Sequence, residues 1–174
     1  LTEINIPNSV AEIGSSAFEG CTSLTSITIP DCVTKIQWNT FKGCSNLKSI
    51  IIPKSVTEIE SSAFEGCTGK ITINCNIPTS KNSRSIFEGS LFTKVVIGTN
   101  VTNIGEYTFL NCTGLTEVTI PESVTEISEG AFCGCTALTS ITIPDSVICI
   151  GNCAFSSCIS LSEITIPNSV TKIG

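Results

Sequence analysis

Eleven cysteines are the side chains of this chain best suited to chemistry, as nucleophiles, metal ligands or disulfide partners. Six of them recur in steps of 23 residues, with one gap of 45: Cys21, Cys44, Cys67, Cys112, Cys135 and Cys158. A nucleophilic thiol needs a general base within hydrogen-bond reach, and the chain contains no histidine. We therefore interpret the six as a ladder of buried, reduced thiols that pack as small hydrophobic side chains.

The other five cysteines fall outside this ladder. Cys32 is isolated, whereas Cys75 takes the place of a repeated isoleucine and is predicted to be buried in the core. Cys133, Cys149 and Cys153 lie close to Cys158 in sequence, but their spacing does not match the paired C-x2-C ligands of a zinc site. One disulfide among Cys133, Cys149 and Cys153 stays open as an alternative. With no glycine-rich phosphate loop either, we expect no metal, no cofactor and no catalytic site.

Composition narrows the possible partners. The net charge is -6 with only nine lysines and arginines among 174 residues, which argues against nucleic acid, since that partner requires clustered cations. Hydrophobic residues make up 41% of the chain, yet no apolar run approaches the roughly 18 residues that a membrane-spanning helix needs. We expect neither a nucleic-acid partner nor direct membrane insertion. The absence of methionine indicates a fragment or a processed product.

An internal repeat of 23 residues explains the cysteine spacing. The units begin at positions 1, 24, 47, 70, 92, 115, 138 and 161, the fourth being irregular and 22 residues long and the last partial. Apolar residues recur at positions 1, 4 and 6 of each unit, as in the L-x-x-L-x-L core of a leucine-rich repeat. Positions 4 and 6 share one face of a strand, and a proline at position 7 of six units ends that strand. One solenoid domain is therefore predicted over 1–174.

The second half of each unit has its own pattern. Apolar residues at positions 10 and 13 indicate a short extended return, and a phenylalanine stands at position 18 of every full unit. Serine or asparagine before it and glycine after it predict a short helical turn. The predicted fold class is an α/β repeat, with a parallel β-sheet on the concave side and short helical turns or irregular segments on the convex side.

The fourth unit departs from the pattern. Lys70 stands where six other units have leucine and one has phenylalanine, and the 23-residue alignment assigns Ile73 to position 4. Residues 76–85 (NIPTSKNSRS) read as a polar loop in which Lys81 and Arg84 add local positive charge. We interpret it either as a loop that contacts a partner or as a tolerated variant of the repeat, and predict raised mobility in both cases.

The string LTEVTIPESVTEISEGAFCGCTA (residues 115–137) resembles the BspA-like leucine-rich repeats, and the likeness extends over essentially the whole chain. That family is found on surfaces of mouth and gut bacteria and of parasitic protists. The resemblance implies an extracellular or cell-surface location and adhesion to host proteins, host cells or extracellular matrix.

Binding residues are predicted at outward strand positions 3 and 5, mainly near the centre of the sheet. The candidates, together with the two loop cations, are Ser26, Thr28, Ser49, Ile51, Thr72, Asn74, Lys94, Val96, Thr119, Thr142, Lys81 and Arg84. The alternative is that threonine and serine here are simply solvent-facing strand residues.

We expect a non-enzymatic module for protein or glycan ligands. The alternative function is structural, a homo-oligomer or filament formed end to end through solenoid ends that carry no capping sequence.

Overall fold

The computed structural model describes residues 2–76 and 85–174. Its main feature is a parallel sheet of seven strands in the order β1-β2-β4-β6-β7-β9-β11. The strands are β1 (Glu3–Asn5), β2 (Ser26–Thr28), β4 (Ser49–Ile52), β6 (Thr68–Ile73), β7 (Leu91–Ile97), β9 (Glu117–Thr119) and β11 (Ser140–Ile141). Each repeat contributes one strand, so the chain winds as a parallel solenoid, as the repeat predicts.

The extended returns form two smaller parallel sheets. One has four strands in the order β13-β12-β10-β8 and the other pairs β3 with β5. Their strands are β3 (Lys35–Ile36), β5 (Glu58–Ile59), β8 (Asn103–Ile104), β10 (Glu126–Ile127), β12 (Cys149–Ile150) and β13 (Lys172–Ile173). A parallel bridge from Ile13 to Ile36 extends the second of these sheets by one unit.

One continuous core lies between the main sheet and the returns. Its leucine, isoleucine and valine columns are buried, and the phenylalanine rings stack from unit to unit. Centroids are 5.6 Å apart between Phe41 and Phe64 and 5.3 Å apart between Phe109 and Phe132. Because each ring contacts the ring of the next unit, no unit can bury its apolar face alone, and neighbouring units stabilise each other.

The described part of the chain contains no helix, so of the two alternatives for these segments, helical turns or irregular structure, the structure has the irregular one. Two residues of the first unit, Ser16 (φ 57°) and Gly20 (φ 69°), adopt left-handed backbone angles that interrupt a right-handed helix. Between them, the Phe18 N–H donates to the Thr40 carbonyl of the next unit at 2.9 Å. The segment is therefore a succession of turns whose backbone bonds join neighbouring units.

The register of the fourth unit also differs from the 23-residue alignment. Ile71, and not Ile73, pairs with Ile50 on one side and with Val95 on the other. Twenty-one residues separate Ile50 from Ile71, and 24 separate Ile71 from Val95. The alignment was wrong because it placed a single one-residue deletion in the fourth unit. The chain instead has two residues fewer than the repeat before Ile71 and one extra residue within β7. Cys75 is buried, but beyond the end of β6.

Phe92 compensates for the leucine that the fourth unit lacks. In the fourth unit, Gly69 is the backbone partner of Phe92. A Cβ on Gly69 would lie 2.4 Å from the Leu47 carbonyl oxygen, so there is no room for a side chain at position 69. The Phe92 ring is buried, with its centroid 6.0 Å from that of Phe64 and 6.3 Å from that of Phe87. The larger aromatic ring thus occupies core space that leucine occupies elsewhere.

The open face of the main sheet as a candidate binding site

The candidate site is the outward surface of the main sheet, called here the open face. Side chains alternate along a strand, so the residues between the buried columns point away from the core. They form two rows across the strands. The first row is Ser26, Ser49, Lys70, Lys94, Glu117 and Ser140, and the second is Thr28, Ile51, Thr72, Val96 and Thr119, with Thr142 beyond it.

Exposure varies along these rows. Thr28, Ser49, Thr119 and Thr142 are exposed, whereas the four other predicted strand residues, Ser26, Thr72, Lys94 and Val96, are half-buried. Ile51 is 51% exposed although it lies on a strand near the middle of the sheet. Ile51 and Val96 flank Thr72 in the same row, so the centre of the open face is its most apolar part.

The centre also carries the positive charge of this face. Lys70 and Lys94 lie at partner positions on neighbouring strands. The Lys94 ammonium donates to a Glu117 carboxylate oxygen at 2.5 Å, and both side chains remain partly accessible to solvent. Exposed pairs of this kind contribute little to stability. Lys94 can therefore exchange Glu117 for a ligand carboxylate at small cost.

Two shallow depressions mark the open face and its edge. The first has a volume of about 220 Å³ and lies where the strands end, next to Ile51; its lining residues are Thr28, Ile29, Asp31, Ile51, Pro53, Lys54, Asn74 and Asn100. The second, of about 490 Å³, lies between β9 and β11, lined by Glu117, Val118, Thr119, Ile120, Ser140, Ile141 and Thr142. Both are open to one side, which suits an extended ligand better than a small enclosed one.

The sequence-predicted residues divide into three groups. The strand residues from Ser26 to Thr142 lie on the open face, except Asn74. Asn74 follows β6 and lines the first depression instead, since the register moves Lys70 and Thr72 into the two rows. Lys81 and Arg84, and the mobility expected near them, lie outside the described residues.

The sequence did not predict that Lys70 lies on the open face. The sequence is compatible with the observed register, because Ile71 and Ile73 fit positions 4 and 6 of the repeat as well as Ile73 and Cys75 do. A shift of two residues keeps the same side chains inward, so the apolar pattern alone could not choose between the two registers.

The ladder cysteines form a structural column and not a reactive site. Five of the six are buried, and their thiols donate to the carbonyl of a phenylalanine 25 or 26 residues earlier, as Cys67 does to Phe41 at 3.0 Å. Burial raises the pKa of the Cys112 thiol to about 12 and that of Cys75 to about 11, which keeps both protonated at neutral pH. All eleven cysteines are free thiols in the structure.

Among residues 2–76 and 85–174, no group of three or more Cys, Asp or Glu side chains is arranged to hold a metal ion. The same part of the chain contains no helix of the length and hydropathy needed to cross a bilayer.

The solved structures similar to this chain include leucine-rich repeat proteins of bacteria. A leucine-rich repeat protein from Bacteroides ovatus is 33% identical with a TM-score of 0.67, and the match covers 97% of this chain and 46% of that one. For one from Eubacterium ventriosum the identity is 28% and the TM-score 0.70, covering 96% and 45%. The leucine-rich repeat protein of T. pallidum is 26% identical with a TM-score of 0.59, covering 94% and 72%. The chain thus spans less than half of the first two proteins.

Sequence comparisons agree with the structural ones. No curated protein sequence matches the chain. The model of the BspA type leucine rich repeat region, in six copies, matches residues 1–115 and 80–174, which together span the whole chain. The chain, with its stacked strands, phenylalanine rings and cysteine ladder, therefore belongs to the BspA-type leucine-rich repeat family.

Proposed function

We propose that the chain is a non-enzymatic binding module that holds a protein ligand against the open face. The observation that carries the proposal is Ile51, an isoleucine 51% exposed near the middle of the main sheet. Threonine occupies the neighbouring positions of its row, on β2 and β6, so the fold does not require an apolar residue there. A contiguous apolar patch rimmed by polar side chains is typical of a protein-binding surface. Ile51 and Val96, with the Thr72 methyl group between them, supply such a patch on this face.

The rigidity of the main sheet favours binding. The inner strands beneath the open face, from β2 to β9, are each held by parallel backbone pairing on both sides. Side chains on such a scaffold lose little freedom when a ligand docks, which lowers the entropic cost of binding. Stacked repeats use extended surfaces of this type for partners larger than a small molecule.

The chemistry of the open face limits the ligand. Ile51 and Val96 supply apolar contact, and Lys70 and Lys94 supply positive charge on a chain of net charge -6. A matching ligand is an extended protein segment that carries both apolar and acidic side chains. Together with membership of a BspA-type repeat family, this favours an extracellular or cell-surface protein that binds host matrix or host-cell proteins.

Substitution on the open face tests the proposal. The triple variant Ile51→Thr, Lys94→Gln, Val96→Thr introduces only side chains suited to strands. A matched control alters outward positions of the four-stranded sheet: Asn103→Thr, Glu126→Gln, Lys172→Gln. Binding to a panel of purified extracellular-matrix proteins is measured by surface plasmon resonance. We expect the triple variant to lose about tenfold or more in affinity, and the control to bind as the unaltered chain does.

Equal affinities of the triple variant and the unaltered chain would rule out the open face. Sedimentation at several protein concentrations separates binding from the alternative of end-to-end assembly. A constant monomer mass supports a binding module, whereas a mass that grows with concentration supports assembly.

A further inference from the structure

Trp38 is the only tryptophan of the chain and is 60% exposed. It lies in the segment that follows β3, away from the open face. The equivalent positions of the neighbouring units are Ser15 and Ser61, and those of later units are Glu106, Glu129 and Asn152. The repeat therefore places small or polar residues here, and the stacking of units does not require an indole ring.

A polar network holds the Trp38 ring in place. The indole N–H donates to one Glu60 carboxylate oxygen at 2.7 Å. The other Glu60 oxygen lies 2.7 Å from the Lys35 ammonium, which also pairs with Glu58 at 3.2 Å. The Lys35 hydrogen bond lowers the pKa of Glu60, so this carboxylate stays ionised and able to hold the indole N–H.

The backbone under the ring is fixed as well. The Trp38 carbonyl accepts the Ser16 N–H at 2.9 Å, and the buried Thr40 hydroxyl donates to the Gln37 carbonyl at 2.7 Å. The Gln37 amide donates to Glu12 at 3.1 Å, which extends the network to the first unit. A large aromatic surface is thus exposed and immobilised at once, so little freedom remains to be lost on binding.

We propose that Trp38 is a stacking platform for a pyranose ring of a neutral glycan. The C–H groups of one sugar face carry partial positive charge and pack against the electron-rich face of an indole. Carboxylates accept strong hydrogen bonds from hydroxyl groups, and the network supplies them at Glu12, Glu58 and Glu60. An aromatic plane beside several acceptors therefore suits a polyhydroxylated ring.

The charges of the cluster favour a neutral sugar over an ionic ligand. Three carboxylates repel a phosphate, sulfate or uronate group. A ligand cation would have to compete with Lys35, which already bonds to Glu58 and Glu60. One aromatic ring is also short of the several rings that enclose quaternary ammonium groups.

The single tryptophan makes a direct test possible, because its emission reports this site alone. The protein is titrated with cellotetraose and with β-1,4-galactotetraose while indole emission is recorded, and tetramethylammonium serves as the cationic probe. We expect a saturable change in emission with at least one sugar, at a Kd of about 1 mM or lower. Tetramethylammonium at equal concentration is expected to leave the emission unchanged.

Variants locate the binding by isothermal titration calorimetry, which does not need the indole. Trp38→Ala is expected to lower sugar affinity by about tenfold or more, and Trp38→Phe to lower it less. Glu106→Ala, an exposed residue at the same repeat position of the fifth unit, is the matched control and is expected to bind normally. The open-face triple variant is expected to bind the sugar normally too, which keeps this proposal separate from the proposed function.

Three results would overturn the assignment. They are no emission change with either sugar, a response to tetramethylammonium alone, and undiminished sugar binding by Trp38→Ala.

Discussion

Cys112 and Cys135 illustrate how single residues of the ladder serve the fold. Both thiols are buried, and each donates to the carbonyl of a phenylalanine in the preceding unit, at 3.9 Å from Cys112 to Phe87 and 3.2 Å from Cys135 to Phe109. A protonated thiol satisfies this carbonyl, whereas a thiolate would be buried without a counter-charge. Burial therefore raises the pKa of both thiols, and Cys112 and Cys135 resist ionisation.

Stability should consequently fall at alkaline pH. An unfolded cysteine ionises near pH 8.5, whereas burial raises the pKa of folded Cys112 to about 12. Below both values the thiol is protonated in both states; between them only the unfolded chain loses the proton, so the free energy of unfolding decreases as pH rises. One such thiol contributes a slope of about 1.4 kcal/mol per pH unit. We expect Cys112→Ala to show a shallower decrease between pH 9 and about pH 11 in urea titrations.

Val124→Ala is the control for this prediction. It removes a buried apolar group with no titrating atom, so its destabilisation should be independent of pH. An identical alkaline slope for Cys112→Ala and the unaltered chain would contradict a raised thiol pKa.

Among the elements, the strands of the fourth and fifth units, β6 and β7, depart from the regular repeat and compensate for that departure by their packing. The approach to β6 is two residues short, Gly69 replaces a core side chain, and Phe92 of β7 occupies that space. The β6–β7 pairing is nevertheless the longest in the main sheet, at six residue pairs. The defect is therefore compensated by packing and pairing within the same two strands.

Phe92 should accordingly be among the costliest core residues to truncate. Phe92→Ala removes a buried ring that no neighbouring side chain can replace, and we expect it to lower the free energy of unfolding by about 3–5 kcal/mol. Phe155→Ala is the comparison, since Phe155 is only half-buried and should cost clearly less. Urea denaturation of both variants measures the difference, and a smaller loss for Phe92→Ala than for Phe155→Ala would contradict the compensation.

The sequence predicts some elements better than others, for physical reasons. Strands at positions 3–5 and the buried phenylalanine column follow from periods that recur in every unit. The choice between helical turns and irregular segments stayed open because the left-handed angles at Ser16 and Tyr107 (φ 57° and 54°) are uncommon for those residue types and cannot be inferred from them. The fourth register was missed because Ile71, Ile73 and Cys75 alternate with the same period. The place of most open-face residues was thus predictable, and that of Lys70 was not.

At the scale of the whole molecule, contacts between adjacent units determine how the chain unfolds. Every described unit bonds to its neighbours through strands and through the turn segments, as in the Phe41 N–H to Ala63 carbonyl bond at 2.9 Å. Repeat arrays of this kind unfold together when their interfaces are stronger than the units themselves. The long β6–β7 pairing couples the first three units to the last ones.

Two natural probes can test this coupling. Trp38 reports the second and third units through its bond to Glu60, and Tyr107, the only tyrosine, reports the fifth and sixth through its bond to Glu129. We expect the urea midpoint from Trp38 fluorescence to equal that from the ¹⁹F NMR signal of 3-fluorotyrosine at Tyr107. Two separate midpoints would show that the array divides at the fourth unit.

Cross-strand nuclear Overhauser contacts between backbone protons test the register of the parallel sheet most directly. The register places Lys70 and Thr72 of β6 on the open face. We predict backbone contacts of Ile71 with both Ile50 and Val95. Contacts of Ile73 with Ile50 and Val95 instead would contradict the register, and with it the arrangement of the open face.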